Sequence, residues 1–374
     1  MIKRFILAPD SFKGTMTAVE VCDIWQAVIL NHIPDAVIRR LPMADGGEGM
    51  VDAYLSILGG KHTSAPVSDP FGNKIEAAYG LLPNARAVME MSSCAGLPLV
   101  GSRKDPLHAS TFGVGELLLH AYKKGVKDVL LGIGGSATND CGIGMAAALG
   151  YKFYSINGEL VEPFAKNMIN IYHIEPPKEK LSLCVTAACD VDNPLYGPTG
   201  ATYTFGMQKG ADSQMLALLD AGLENMAEAI ERSLGICVSH IPGSGAAGGL
   251  GAGIIAFLGG TLTPGIDLLL DAAGFNDLLL DADIVFTGEG RIDWQSAHGK
   301  VPVGVAKRAK TANVPCIALC GAIGDGLEAV YEYGLTAVFA SIREITDFDG
   351  IKKNCREDMR LLVDSVLRLL NYTF

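Results

Sequence analysis

Residues 284–293, IVFTGEGRID, decide how the chain is to be read. Four β-favouring residues, Ile284 to Thr287, run into a loop holding two glycines, two carboxylates and an arginine. A short apolar run closed by glycine suits a strand buried on both faces of a parallel sheet. The opposite end of the chain repeats the arrangement. Phe5 to Ala8 leads into APDSFKG (8–14), a helix is expected over about 18–32, and Val37 to Leu41 leads into PMADGGEG (42–49) and a helix through Leu58. Two strands alone make a poor sheet. Adding Ile284–Thr287, Cys316–Cys320 and Ala337–Ala340, with helices between them and a closing amphipathic helix over about 351–370, yields a five-stranded doubly wound sheet of flavodoxin-like order 2-1-3-4-5.

The intervening segment breaks this rhythm. Residues 68–91 read as an antiparallel hairpin, DPFGNKIEAAYG and NARAVMEM, joined by a Pro/Asn turn. The fold class expected is therefore α/β, with residues 1–65 plus 275–374 forming the flavodoxin-like domain and 66–274 an inserted mixed α/β domain. A contiguous split near residue 150 is the competing division. Ligands of open α/β sheets bind at the carboxyl ends of the strands, so the polar loops of both domains are expected to face a common cleft.

Composition narrows the function. The 374 residues are 49% hydrophobic and 19% charged, which excludes a disordered chain. With 41 acidic against 30 basic residues the formal charge is −11, which disfavours nucleic acid and anionic membranes as partners and leaves small polar substrates. Mean hydropathy is +0.28, yet the most apolar stretch, 246–260, is shorter than a bilayer span and rich in glycine. The start, MIKRFILAPD, turns polar too soon for a secretory signal, and the nine cysteines show no CxxC or CxxH spacing, so a reducing cytoplasm is expected. The 45 glycines cluster after predicted strands.

Several of those clusters carry chemistry. GIGGSATND (132–140) follows the strand expected at 128–131, and Gly134 and Gly135 would let backbone N–H groups approach a phosphate, with Ser136, Thr138, Asn139 and Asp140 as cap or ligand candidates. Simple packing is the competing reading. ACDVDNPLYG (188–197) sets Asp190, Asp192 and Asn193 on one loop; paired carboxylates suit Mg²⁺ shared with nucleotide phosphates, and an Asx-turn before Pro194 is the alternative. Lys209 in TYTFGMQKGA (202–211) is a compact cation able to neutralise a phosphate, or a solvated surface lysine. GSGAAGGLGAG (243–253) contains GxGxxG but follows no clear strand, so close helix packing or a second backbone cradle fits it better than a nicotinamide site.

In the first domain Asp10, Ser11 and Lys13 follow one strand, Asp45 and Glu48 another, and Glu289, Arg291 and Asp293 a third. A carboxylate substrate needs a cation, best a guanidinium, and a hydroxyl nucleophile needs a carboxylate to accept its proton. These loops meet both needs. The seven histidines form no HExxH and no GxSxG elbow is present, while Cys94, Cys184 and Cys316 read as core residues.

Read in order, the motifs closely resemble those of the bacterial type I glycerate kinases. The likeness rests on APDSFKG (8–14), PMADGGEG (42–49), GIGGSATND (132–140), ACDVDNPL (188–195), FGMQKGA (205–211), GAAGGLGAG (245–253) and TGEGRIDWQSAHGKVPVGVA (287–306), spanning nearly the whole chain. Met207 and Cys141 stand where the family tends to carry proline and glycine, and neither change removes a reactive side chain. The resemblance implies D-glycerate as substrate, ATP as phosphoryl donor, Mg²⁺, and 2-phosphoglycerate as product, with 3-phosphoglycerate the alternative. It implies that Gly134, Gly135, Ser136, Asn139, Asp140 and Lys209 bind nucleotide, that Asp190 and Asp192 bind Mg²⁺, and that Arg291, Ser11 and Lys13, with Asp10, Glu289 and Asp293, bind glycerate. Asp45, Asp190 and Lys13 are the catalytic candidates, with Asp45 leading for the base and Asp190 second. A kinase for another hydroxy acid, a non-catalytic sugar-acid sensor and a nicotinamide dehydrogenase are the rival functions; the last lacks its dinucleotide fingerprint.

Overall fold

A computed structural model describes residues 2–44, 47, 49–297 and 300–371, so the expectations for Asp45, Glu48 and His298 lie outside the described residues. Two compact units are present, one comprising residues 1–45, 56–58 and 266–374, the other 46–55 and 59–265.

The first unit holds a five-stranded parallel sheet. Its strands Arg4–Pro9 and Ile284–Gly288 pair with Phe5 opposite Ile284 and Leu7 opposite Phe286. Val37–Arg40 lies on one side of this pair, Cys316–Cys320 and Ala337–Ala340 on the other, giving the order 2-1-3-4-5 along the chain. Every residue of Ile284–Gly288 and Cys316–Cys320 is buried, as a doubly covered strand requires. One face carries the helices Ala18–His32 and Phe348–Leu370, packed on each other around Trp25, Phe286, Met359 and Val363. Thr17 and Glu20 form a capping box at the first helix. The closing helix begins three residues before the expected position because the Asp347 side chain accepts a hydrogen bond from the Gly350 N–H. Helix Val301–Thr311 packs against the strands as well.

The second unit is mixed. Thr261–Thr263, Cys184–Ala188, Asp128–Gly132 and Arg86–Glu90 run parallel, and Lys74–Leu82 and Lys61–Ser68 extend the sheet antiparallel. The expected hairpin is present, with Asn84 and Ala85 at positive φ in its turn. A further strand precedes it: Lys61–Ser68 pairs with Lys74–Leu82 from its first residue, Lys61 opposite Leu81. Residues 61–65 therefore belong to the second sheet, and the second unit consists of 46–55 and 59–265 rather than the expected 66–274. Of the three cysteines expected in the core, Cys94 and Cys316 are buried but Cys184, the first residue of its strand, is exposed.

Candidate active site

At the carboxyl ends of the first unit's strands lies a cavity of about 540 Å³, within the range of small-ligand sites. Asp10, Ser11, Lys13, Glu289, Arg291 and Lys300 line its polar side. The loops come close because Gly288 has no side chain: a Cβ there would stand 2.0 Å from the Leu319 carbonyl oxygen. Asp10 is buried; its N–H donates to the Gly288 carbonyl at 2.8 Å, and its Oδ1 accepts from the Ser11 N–H at 2.6 Å. Glu289 is buried too. Its Oε1 accepts the Ser296 hydroxyl at 2.6 Å, and its Oε2 lies 3.2 Å from the Lys300 Nζ. Arg291 is exposed, its Nε 3.3 Å from Asp293 Oδ2, while the Asp293 N–H donates to Ser296 Oγ.

Five residues expected at this site, Asp10, Ser11, Lys13, Glu289 and Arg291, thus share one cavity, with Asp293 beside Arg291 as its ion-pair partner. Lys300 and Ser296 are additions. A signal for Lys300 is present in the sequence: it stands just before Val301–Pro302, a proline-marked helix start, where a cation opposes the positive pole of the helix.

In the second unit four glycine-rich loops interlock. The Cys141 N–H donates to the Gly248 carbonyl and the Gly245 N–H to the Asn193 carbonyl, both at 3.0 Å, and Asn139 Nδ2 donates to Thr202 Oγ1 at 3.0 Å. Gly248 has φ +70°, and a Cβ on it would lie 2.2 Å from the Thr138 carbonyl oxygen. Close packing therefore accounts for the 245–253 glycines, and among the described residues no strand precedes them between helix Ser213–Leu234 and helix Ala246–Leu258.

Here Lys209 departs from the surface reading, while Asp140 takes one of the two places expected for it, a cap. Lys209 is neither a solvated lysine nor an outward-facing cation: it is 2% exposed, and its Nζ donates to the Thr138 carbonyl at 2.6 Å and Ser136 Oγ at 3.3 Å. Burial pulls its pKa down to about 7 against the opposing pull of the Asp140 charge. Asp140 is fully buried, accepting from the Thr111 N–H and hydroxyl and from the Gly142 and Gly144 N–H groups. Burial raises its pKa and those four donors pull the other way. Lys209 bonds to the loop's own atoms, at Thr138 and Ser136, whereas Asp140 ties the end of the loop to Thr111 and to the start of the following helix. Asn139 and Ser136 are buried as well, whereas Gly134 is half-buried and Gly135 exposed with φ +72°. The backbone of these two glycines is the part of the loop open to a ligand.

Asp190, half-buried, accepts from the Gly265 N–H through Oδ1 at 2.9 Å, and Asp192 is exposed on the same loop. Asn193 Nδ2 ties that loop to the Thr199 carbonyl at 2.8 Å. Among the described residues no three His, Cys, Asp or Glu side chains gather as for a metal held by protein alone. Two carboxylates on one loop are the donor set that magnesium uses when phosphates and water complete its shell.

An open doubly wound sheet with a strand-end pocket that brings three cations among its charged side chains, together with a second unit built on a glycine-rich strand-to-helix loop, has the parts of a kinase for a small anionic substrate. Comparison with known proteins agrees. Residues 5–371 match the glycerate kinase family. The chain is 46% identical to the glycerate kinase of Halalkalibacterium halodurans over 93% of both chains, and 41% identical to the glycerate 2-kinase of Escherichia coli over 92% of both. A Salmonella typhimurium LT2 protein whose crystal structure carries the name glycerate kinase 2 aligns with TM-score 0.87 and 38% identity, over 99% of this chain and 98% of that one. The chain belongs to the glycerate kinase family and is a kinase that phosphorylates glycerate.

Proposed function

We propose that the protein transfers the γ-phosphoryl group of ATP to the 2-hydroxyl of D-glycerate, yielding 2-phosphoglycerate and ADP, with the first unit holding glycerate and the second the nucleotide. The observation that carries this division is the first unit's cavity, where Lys13, Arg291 and Lys300 meet Asp10 and Glu289 around a space fit for a small anion. Phosphoryl transfer depends on positioning and charge neutralisation more than on covalent chemistry. Arg291, with Ser11 and Lys13, would receive the glycerate carboxylate, the guanidinium matching it in a planar fork. The Gly134–Gly135 backbone would receive phosphate oxygens, while Lys209 and Asp140 keep that loop in shape. Asp45 is the leading base for the substrate hydroxyl and Asp190 the second. Magnesium, carried in with the nucleotide, would be met by Asp190 and Asp192 and would neutralise phosphate charge. ATP as donor and nine free thiols suit a reducing cytoplasm, and among the described residues no helix is long and apolar enough to cross a membrane.

The test is a coupled assay of ADP release with D-glycerate and Mg²⁺, followed by phosphorus NMR of the product. Glycerate-dependent release with a 2-phosphate resonance is expected. A 3-phosphate resonance would replace the regiochemistry, and glycerate binding with no turnover in a folded protein would favour a sensor.

A further inference from the structure

The pocket of the first unit is lined by three carboxylates, Asp10, Glu289 and Asp358, and of these Glu289 stands beside Lys300. Glu289 is 6% exposed and faces the same cavity as the cations. Left bare, it would repel glycerate and carry an unpaid desolvation cost. It is not bare: Ser296 donates to one oxygen and Lys300 stands beside the other. The Lys300 side chain is about one-third exposed, so the pair is sheltered on the carboxylate side and open on the ammonium side. An ammonium carries three donors, and Glu289 is its one ion-pair partner among the described residues.

Its backbone is held as firmly as its head. Lys300 is the N-cap of helix Val301–Thr311, in extended conformation at φ −69° and ψ 165°, and the Val303 and Gly304 N–H groups both donate to its carbonyl. Gly304 packs so tightly on Ile266 that a Cβ there would stand 2.6 Å from its Cγ1. A lysine set at the start of a helix opposes the helix's positive pole, an arrangement that gains when an anion joins it.

Resting on the reading of this pocket as the glycerate site, we propose that Lys300 contacts the oxyanion of a reactant there, either the glycerate carboxylate or the phosphoryl group in transfer, and that Glu289 is a positioning residue acting through Lys300. Glu289 fixes where the ammonium sits, and Ser296 fixes Glu289. Glu289 itself does not bind glycerate.

The experiment compares wild type, Lys300→Met, Lys300→Arg, Glu289→Gln and the double variant in steady-state kinetics with D-glycerate and ATP, each first shown to be folded by circular dichroism. If the oxyanion is the carboxylate, Lys300→Met raises the KM for glycerate on the order of tenfold to a hundredfold, as loss of a charged hydrogen bond implies, and leaves the KM for ATP unchanged. If it is the phosphoryl group, kcat falls by a similar factor with the KM for glycerate unchanged. In either case Lys300→Arg recovers part of the loss, and Glu289→Gln adds little to Lys300→Met because both act on one contact. Wild-type kinetics in folded Lys300→Met would overturn the inference, as would fully additive effects of the two substitutions. A wild-type enzyme that does not turn over glycerate would instead remove the functional reading on which the inference stands.

Discussion

Two lysines stand beside glycine-rich loops, one in each unit, and the fold uses them in opposite ways. Lys209 is buried under the 132–140 loop, donating to the Thr138 carbonyl. Lys300 borders an open cavity, its charge balanced by a buried carboxylate. In sequence the two look alike, each a lysine next to a glycine. What separates them is the surroundings: Lys209 is closed over by the 202–211 segment and the loop it supports, whereas Lys300 heads a helix that points it at a pocket. A motif identifies a cation and its neighbourhood; only packing decides whether the cation reaches a ligand or holds a loop.

The comparison breaks most visibly if the second unit's loops prove merely structural. Asp190→Asn keeps an acceptor for the Gly265 N–H but removes the charge, so kcat should fall by orders of magnitude with thermal stability nearly unchanged; near-normal turnover in a coupled assay would reduce Asp190 to a cap. Gly248→Ala should cost about 2 kcal/mol or more in denaturant unfolding, because the methyl meets the Thr138 carbonyl at a left-handed backbone position. The same variant should raise the KM for ATP more than that for glycerate.

The buried lysine has its own signature in pH. Its native pKa, about 7, lies below that of an unfolded lysine. Between those two values the unfolded chain binds the extra proton, so raising pH favours the native state. Measured by urea unfolding at pH 7 and pH 9, wild type should therefore gain stability relative to Lys209→Met over that interval. Parallel pH profiles would mean that Lys209 keeps its ordinary pKa. The smallest effect belongs to the pair Arg291–Asp293, whose guanidinium is open to solvent while its carboxylate is mostly covered: Asp293→Asn should change stability by less than about 1 kcal/mol, with the KM for glycerate the kinetic constant to respond.

How far the sequence could be read follows the same logic of surroundings. The central strands of the first unit were visible because a strand covered on both faces is largely apolar, as Ile284–Gly288 and Cys316–Cys320 are. Strand Lys61–Ser68 was hidden for the converse reason: KHTSAPVS is polar and holds a proline, and only Ala65, Val67 and Ser68 are buried in it. That one strand carries residues 61–65 into the second unit. Cys184 misled because an apolar neighbourhood in sequence, LSLCV, says nothing of which face a strand's first residue takes. At the site, Asp10, Ser11, Lys13, Glu289 and Arg291 could be found as a set, since strand-end loops of a known sheet order must converge. The pairing of Glu289 with Lys300 could not, because it depends on a carboxylate being buried beside an ammonium.

The central claim is that glycerate is held by the first unit and nucleotide by the second. Hydrogen–deuterium exchange with each ligand added alone tests it most directly. D-Glycerate should slow exchange in residues 8–14 and 287–297, and a non-hydrolysable ATP analogue with Mg²⁺ should slow it in 132–140 and 188–193. Protection of 132–140 by D-glycerate, with 8–14 and 287–297 unchanged, would contradict the account.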